Sequence, residues 1–382
     1  MSVSRLLFLA ERFPPDIGGV ASSARRISEA LKELGIAVDV VVWSRYLQPG
    51  EVLPPQSETA KVYRIGLYRN WDMTMNHTLN VLEWLHQQHS YDAVWGHYLF
   101  PAGFLAVWFA GLQGIESIVS ARGNDIDRGA FPPGDFARLR WTLERADRVT
   151  AVSRDLGRKI KLLCDRDDTV ILKNAVDTDI FKPDLSPDVR SNLRAELGIF
   201  SDEIVVGFLG ELREKKGQQF LIKALSEVRR NRLACLLIIG EVRPSQLGIL
   251  QAYEMECPED AKRVIITGYL SEREAIARYL QICDVFLLPS VWEGMPNALL
   301  EAMSCGGCAI ASDAGGIPEI ITHGENGFIL PRHQLNHLGN AVLEFLELEE
   351  ARKGEISGAA RDRILAEFSL PRERERLRGL FD

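Results

Sequence analysis

Three stretches of the sequence bring together residue types that could do chemistry on a phosphorylated ligand. The most informative is Pro289-Ser290-Val291-Trp292-Glu293-Gly294-Met295-Pro296-Asn297-Ala298-Leu299-Leu300-Glu301-Ala302-Met303. It follows an apolar run at 285–288 and leads into a helix that is apolar nearly all round, Glu301 excepted. Pro296 suits the first helical turn. A carboxylate among Leu300, Ala302 and Met303 is costly to bury unless it is paired. Neutral hydroxyls, such as those of a ribose, would satisfy it, and so would a structural pair with an Arg or Lys. The second stretch is Gly210-Glu211-Leu212-Arg213-Glu214-Lys215-Lys216-Gly217, between an apolar run and a clear helix at 218–230. Its cations could meet a diphosphate with charge-assisted bonds; a solvated charged loop is the other reading. The third is Phe13-Pro14-Pro15-Asp16-Ile17-Gly18-Gly19-Val20. Adjacent glycines before a helix let backbone N–H groups approach an anion closely, although they also suit an ordinary turn.

Other patterns are weaker. Asp125-Ile126-Asp127 and Asp177-Thr178-Asp179 match an Asp-x-Asp metal motif, but such short matches arise by chance in an acidic chain, and no metal or cofactor is expected. Cys305-Gly306-Gly307-Cys308 has redox or zinc spacing, yet no second pair exists to complete a four-cysteine site. Its glycines read as a helix stop. His333 and His337 lack the Glu of a zinc-peptidase helix and fit a surface helix. His97 ends an apolar run before Pro101 and Gly103. It reads equally as a structural histidine or an acceptor contact.

These residues need elements to position them. The chain has 382 residues, 46% hydrophobic and 26% charged, enough for two domains with cores of their own. A net charge of −8 argues against a general nucleic-acid binder. Six scattered cysteines exclude a disulfide scaffold. The opening apolar run is too short for a signal peptide. The longest charge-free stretch, 98–115, would give a helix only about 18 Å long, too short for a bilayer core of about 30 Å. A buried helix and a cytoplasmic location are expected. Strands are expected at 4–10, 38–43, 61–65, 93–96, 117–121, 148–152 and 169–172. A second series follows at 203–209, 234–239, 263–267, 285–288, 309–311 and 328–330. Helical patterns lie between, as at 21–34 and 136–145. Near-continuous apolar strands alternating with helices indicate parallel sheets covered on both faces. A turn-rich segment, 179–202, separates the series and holds a short helix at about 189–197. The chemical loops all follow strands, where doubly wound sheets bind their ligands.

Order and spacing of these motifs together resemble one family. Glu293 and Glu301 look like the E-x7-E signature of retaining glycosyltransferases with the GT-B fold, two Rossmann-like α/β domains facing a cleft. The resemblance spans nearly the whole chain. It is closest to the large family (family 4 type) that includes sucrose, trehalose, mannosyl and lipopolysaccharide-core transferases. Gly18-Gly19 resembles its N-terminal glycine loop. Ala121-Arg122-Gly123-Asn124-Asp125 resembles its His-Gly-x-Asp segment. Asn174-Ala175-Val176-Asp177, followed by Phe181 and Pro183, resembles its Asn-Gly-Val-Asp linker. Asp313-Ala314-Gly315-Gly316-Ile317-Pro318-Glu319 and Gly324-Glu325-Asn326-Gly327 resemble its closing loops. The implied domains are 1–182 on the acceptor side, a linker at 183–202, and a nucleotide-sugar domain at 203–368. A C-terminal helix at 369–382 would cross back to the first.

The resemblance implies a retaining, metal-independent transferase moving a hexose from a nucleotide-diphosphate sugar to an acceptor hydroxyl. Glu301 would bind ribose hydroxyls. Glu293 and the backbone of Gly294, Met295, Pro296 and Asn297 would lie against the donor sugar, Pro296 offering only its carbonyl. Lys216 and Arg213 would hold the diphosphate and stabilise its departure, and Gly19 would approach the same phosphates. Gly18, His97 and Asp125 would lie on the acceptor side. Three departures stand out. Glu211 replaces an arginine; Gly240-Glu241-Val242-Arg243-Pro244 replaces a Gly-x-Gly; and Arg122 replaces a histidine, which counts it among the catalytic set. Arg122 would then either recognise a charged substrate group or pair internally with Asp125 or Asp127. A nucleotide-sugar 2-epimerase of the same shape and a non-catalytic nucleotide-sugar-binding regulator are the alternatives. The acceptor is expected to be a sugar or a lipid-linked glycan. Arg69-Asn70-Trp71 and the stretch 128–141 mix basic and aromatic residues. That mixture suits solvated surface or peripheral contact with the inner face of a membrane.

Overall fold

Leu6 to Ala10 are fully buried, and the strand they form stands at the centre of the first of two sheets. The structure, a computed structural model, describes residues 3–55, 61–129 and 131–381. Met1 of the opening run and Ala130 of the basic–aromatic stretch lie outside the described residues. The chain divides into two units, Met1–Asn174 with Glu373–Asp382, and Ala175–Arg372.

Unit 1 contains β1 (Arg5–Ala10), β2 (Ala37–Ser44), β3 (Val52–Leu53), β4 (Val62–Gly66), β5 (Ala93–His97), β6 (Glu116–Ala121), β7 (Arg148–Ala151) and β8 (Val170–Ile171). Their order is β3-β4-β2-β1-β5-β6-β7-β8, parallel throughout except for the antiparallel β3–β4 pair. The helix Gly19–Glu33 buries Ala24, Ile27 and Leu31, spaced by three and four residues, so one stripe faces the sheet. A fully buried Leu or Phe in this core contributes about 1.5–3 kcal/mol. The expected buried helix forms as Phe104–Gln113, but Trp108 and Leu112 are exposed. It covers the sheet with one face and meets solvent with the other.

Unit 2 contains β9 (Ile204–Leu209), β10 (Ala234–Ile239), β11 (Val264–Ile266), β12 (Val285–Leu288), β13 (Ala309–Ser312) and β14 (Phe328–Leu330). The order is β11-β10-β9-β12-β13-β14, all parallel. Every side chain of β10 is buried, which accounts for its unbroken apolar run.

The segment expected as a linker, 183–202, belongs to unit 2 instead. Gln281 Oε1 accepts the amides of Asp184 and Leu185 at 2.9 and 2.8 Å. Arg190 and Arg194, on the helix Pro187–Glu196, pair with Asp284 at 3.0 and 2.6 Å. The unit changes at Asn174 and changes back within the C-terminal helix Leu370–Phe381. Leu377 and Leu380 of that helix share the unit 1 core with Leu6 and Phe8.

Candidate active site

In unit 2 the strand order reverses between β9 and β12, which lie side by side while later strands run outward from each. Open parallel sheets bind ligands beyond the carboxyl ends of their strands at such a point. The loops leaving these two strands are the ones rich in chemical residues, 210–217 and 289–297. The Val291 amide donates to the Lys215 carbonyl at 2.8 Å and ties them together. Gly217 has φ +74°, and a Cβ there would lie 2.0 Å from the Pro289 carbonyl oxygen. Gly315 has φ +52°, and a Cβ there would lie 1.8 Å from the Glu293 carbonyl oxygen. Only glycine allows either approach.

Glu293 and Lys216 meet across this junction. Lys216 Nζ donates to Glu293 Oε1 at 2.5 Å, and Ser290 Oγ donates to the same oxygen at 2.8 Å. Ser290 is itself fixed, since its carbonyl accepts from Ser312 Oγ at 2.6 Å. The Glu293 side chain is only 8% exposed. Burial alone pushes its carboxyl up. The charges of Lys216 and Lys215, with the bonds from Lys216 and Ser290, outweigh burial and hold it below its ordinary range. An ammonium has three donors, so one bond to Glu293 leaves Lys216 two for another anion.

The remaining unit 2 candidates flank this pair. Gly294, Met295 and Pro296 are buried, and the Gly294 carbonyl accepts the Gly316 amide at 2.9 Å. Pro296 caps the helix Asn297–Ser304 and does not enter its first turn. Asn297 Oδ1 is buried without a hydrogen-bond partner among the described residues. Glu301, one turn on, is half-buried, more open than its apolar neighbours imply. Its chain neighbours Leu300 and Ala302 are fully buried. Arg213 pairs with Glu211, which also holds Arg243 at 3.0 Å. Cys305 and Cys308 are buried free thiols, and burial pushes the Cys308 thiol up to about 11, far from the reactive range.

Unit 1 repeats the plan. Its order reverses between β1 and β5, and the loops after β1, β5 and β6 carry its candidates. Gly18 has φ +126° and caps the helix that starts at Gly19. His97 ends β5 and is wholly buried, with Nε2 3.2 Å from Ser23 Oγ. Burial, then the charges of Arg122 and Arg26, drive its pKa well below the ordinary range, so the ring is neutral. Asp125 is 5% exposed. Its carboxylate accepts from the amides of Arg122, Gly123 and Ile126 at 2.7–3.2 Å, and from Leu99 at 3.2 Å. Burial nonetheless pushes it up to about 6.

Arg122 does not form the internal pair weighed for it. Asp125 is engaged by amides, and Asp127 pairs with Lys159 at 2.6 Å. Arg122 donates instead to the neutral Asn174 Oδ1 at 2.5 Å. Behind it Arg26 grips Glu373 with two bonds of 2.7 and 3.0 Å. Burial, then Arg26, lowers Arg122 to about 10, with Glu373 and Asp125 opposing; it stays charged at neutral pH. Sequence reasoning missed Ser290, Asn174, Arg26, Arg243 and Glu373 as members of these sites. Ser290, Asn174 and Arg243 lie within motifs that the sequence offers, without a site role of their own. The partners Arg26 and Glu373 are 347 residues apart and leave no local signal.

Two family profiles match the chain: "Glycosyl transferase 4-like domain" over residues 18–175 and "Glycosyl transferases group 1" over residues 189–362. The chain belongs to the glycosyltransferases of the GT-B fold. This glycosyltransferase is 26% identical to N-acetyl-alpha-D-glucosaminyl L-malate synthase of Bacillus anthracis, over 93% of its own length and 91% of the relative's. It is 28% identical to the GDP-mannose-dependent alpha-(1-6)-phosphatidylinositol monomannoside mannosyltransferase of Mycobacterium tuberculosis, over 96% and 95% of the two chains. Among solved structures it is similar to Anabaena HepE in complex with UDP and glucose. There the TM-score is 0.80 at 20% identity, covering 99% of each chain. No helix among the described residues of this glycosyltransferase is long and apolar enough to cross a membrane.

Proposed function

We propose that this glycosyltransferase moves a hexose from a nucleotide-diphosphate sugar to an acceptor hydroxyl, with retention and without a metal ion. The observation that carries the reading is the Lys216–Glu293 pair at the strand-order reversal of unit 2. It places a cation with spare donors beside an ionised carboxylate, at the point where such a sheet takes its ligand. Lys216, with Arg213 beside it, stabilises the leaving diphosphate as negative charge builds on it. Glu293 and the loop 294–297 face the donor sugar, and Glu301 accepts the ribose hydroxyls. Support comes from relatives named for nucleotide-sugar or sugar transfer and from the similar Anabaena fold solved with UDP and glucose.

Retention at one face needs no protein base. The departing phosphate oxygen takes the acceptor proton as the new bond forms. The charge of Lys216 and Lys215 beside Glu293 is what a divalent ion would otherwise supply. The carboxylates of the first Asp-x-Asp are committed elsewhere, Asp125 to backbone amides and Asp127 to Lys159.

Incubation with UDP-, GDP- and ADP-sugars, with and without acceptors, tests the reading. Slow nucleotide release that survives EDTA is expected, with the anomeric configuration kept in the product. Loss of activity on chelation, restored by Mn²⁺, overturns the metal-independent part. Formation of an epimer, or binding without turnover, overturns transfer.

A further inference from the structure

Arg122 forms no ion pair among the described residues, although the charges of Glu373 and Asp125 act on it from a distance. Each anion in its neighbourhood is already engaged: Asp125 by four backbone amides, Asp127 by Lys159, Glu373 by the two-bond grip of Arg26. Among the described residues, the one hydrogen bond made by its side chain goes to a neutral amide oxygen. Five N–H groups in a planar fork suit a carboxylate or phosphate bidentately, and a single bond to Asn174 leaves most of the fork unused. Cations withdrawn from water are normally paired. Arg122 is half-buried, with like charge from Arg26 on one side. His97 beside it is fully buried, and its Nδ1 has no hydrogen-bond partner among the described residues. The cluster is assembled from the ends of β5 and β6, from Asn174 beyond β8, and from Glu373 of the C-terminal helix. It stands at the unit's own strand-order reversal.

We propose that Arg122 binds the carboxylate or phosphate of an anionic acceptor substrate in the crevice of unit 1. The assignment to the acceptor rests on the proposed function, in which the donor occupies unit 2 through Lys216. The anion neutralises the guanidinium, and the neutral His97 lets it sit there without a competing charge. Recognition of an acidic group in this way turns a fixed structural charge into acceptor specificity: a neutral sugar leaves Arg122 unpaired, and an acidic one does not.

The test uses the full chain carrying Lys216→Gln, which removes the unit 2 cation while keeping a donor for Glu293. Inorganic phosphate and succinate are titrated into it calorimetrically against matched sodium chloride, as phosphate and carboxylate probes. At least one is expected to bind saturably. Adding Arg122→Gln should weaken that binding by about tenfold or more, the worth of a charge-assisted pair. In the unsubstituted chain, the same anion should protect Arg122 from phenylglyoxal, read by peptide mass, so the test survives a variant that does not fold. Neither anion binding beyond chloride, unchanged affinity in Arg122→Gln, or absence of protection overturns the proposal. Saturating UDP should leave protection of Arg122 within about twofold; competition by UDP would move the anion to the donor and overturn the acceptor assignment. Loss of UDP binding by itself would instead overturn the reading of unit 2.

Discussion

The two crevices share a plan and differ in how charge is balanced. Each lies where strand order reverses, and each presents a cation from a loop after a strand. In unit 2 the cation, Lys216, is matched inside the protein by Glu293. In unit 1 the cation, Arg122, is hydrogen-bonded among the described residues only to a neutral amide oxygen, with Glu373 and Asp125 acting on it from a distance. A self-compensated site is formed before its ligand arrives, so binding energy need not be spent organising it. An uncompensated one depends on its ligand for neutrality. The first suits a reaction step, where donors must be in place as charge develops. The second suits selection between substrates.

Breaking the matched site should have the largest effect. Lys216→Ala removes both the proposed diphosphate contact and the partner of a buried carboxylate. A drop in kcat of about a hundred- to a thousandfold is expected, together with a loss of about 3 kcal/mol in stability. Adding Glu293→Gln should restore stability and leave activity low. Thermal melts beside steady-state rates separate the two. Recovery of both by the double variant would make the pair structural only.

Glu301 comes next. Glu301→Ala should weaken binding of the bare nucleotide by about 1.5–3 kcal/mol, the worth of hydrogen bonds to a charged group. The variant should still fold, which a thermal melt checks. Calorimetric titration with UDP, GDP and ADP checks it, and unchanged affinity for the preferred nucleotide would return Glu301 to a structural role.

How far the sequence reveals this contrast depends on the range of each interaction. Strands β9, β10 and β12 are apolar runs buried on both faces, and burial writes itself into composition residue by residue. The two-residue edge strand β3 (Val52–Leu53), half-buried, leaves no such run and was not expected. Prolines and aspartates made 183–202 read as a linker. What fixes that segment to unit 2 is Gln281 and Asp284, more than 80 residues away. Lys216 and Glu293 were both legible as site residues, because glycine-bearing loops after strands are a local pattern. Their direct pairing across 77 residues was not. Arg122 stood out by its type alone, but its lack of an anion follows from where Lys159 and Arg26 place their own charges, which no local pattern records.

The two buried carboxylates should sharpen the comparison through pH. Glu293 is held below its ordinary 4.5 in the folded chain. Its contribution to stability is therefore present above about 4.5 and lost as pH falls below that. Asp125 is raised from 3.8 to about 6, so the folded chain keeps a proton that the unfolded chain has given up. Stability from this group is highest in acid and is lost as pH rises from 3.8 to about 6. Melting curves from about pH 2.5 to 7, compared with Glu293→Gln and Asp125→Asn, should show differences of opposite slope, the first below 4.5 and the second between 3.8 and about 6. Slopes of the same sign would remove the contrast.

The smallest effect is expected at Glu211, where this chain carries a carboxylate beside two arginines. Glu211 holds Arg213 and, at 3.0 Å, Arg243. Both arginines are about half exposed, 41% and 53%, so these pairs contribute at most about 1 kcal/mol each to stability. Their consequence lies in orientation. If the proposed donor is bound, a guanidinium turned toward Glu211 reaches its diphosphate less freely than Lys216 does, and the carboxylate repels phosphates brought near it. Arg213→Ala should therefore weaken nucleotide binding by about threefold, an exposed-pair magnitude. Glu211→Gln should strengthen it by a similar factor, because both arginines gain freedom and one repulsive charge is gone. The double variant should fall between the two, since the gain from Glu211→Gln passes partly through Arg213. Titrations with the preferred nucleotide measure all three. Weaker binding in Glu211→Gln than in Arg213→Ala would mean that Glu211 itself contacts the ligand, and that unit 2 recognises its donor with this carboxylate and does not merely restrain an arginine with it.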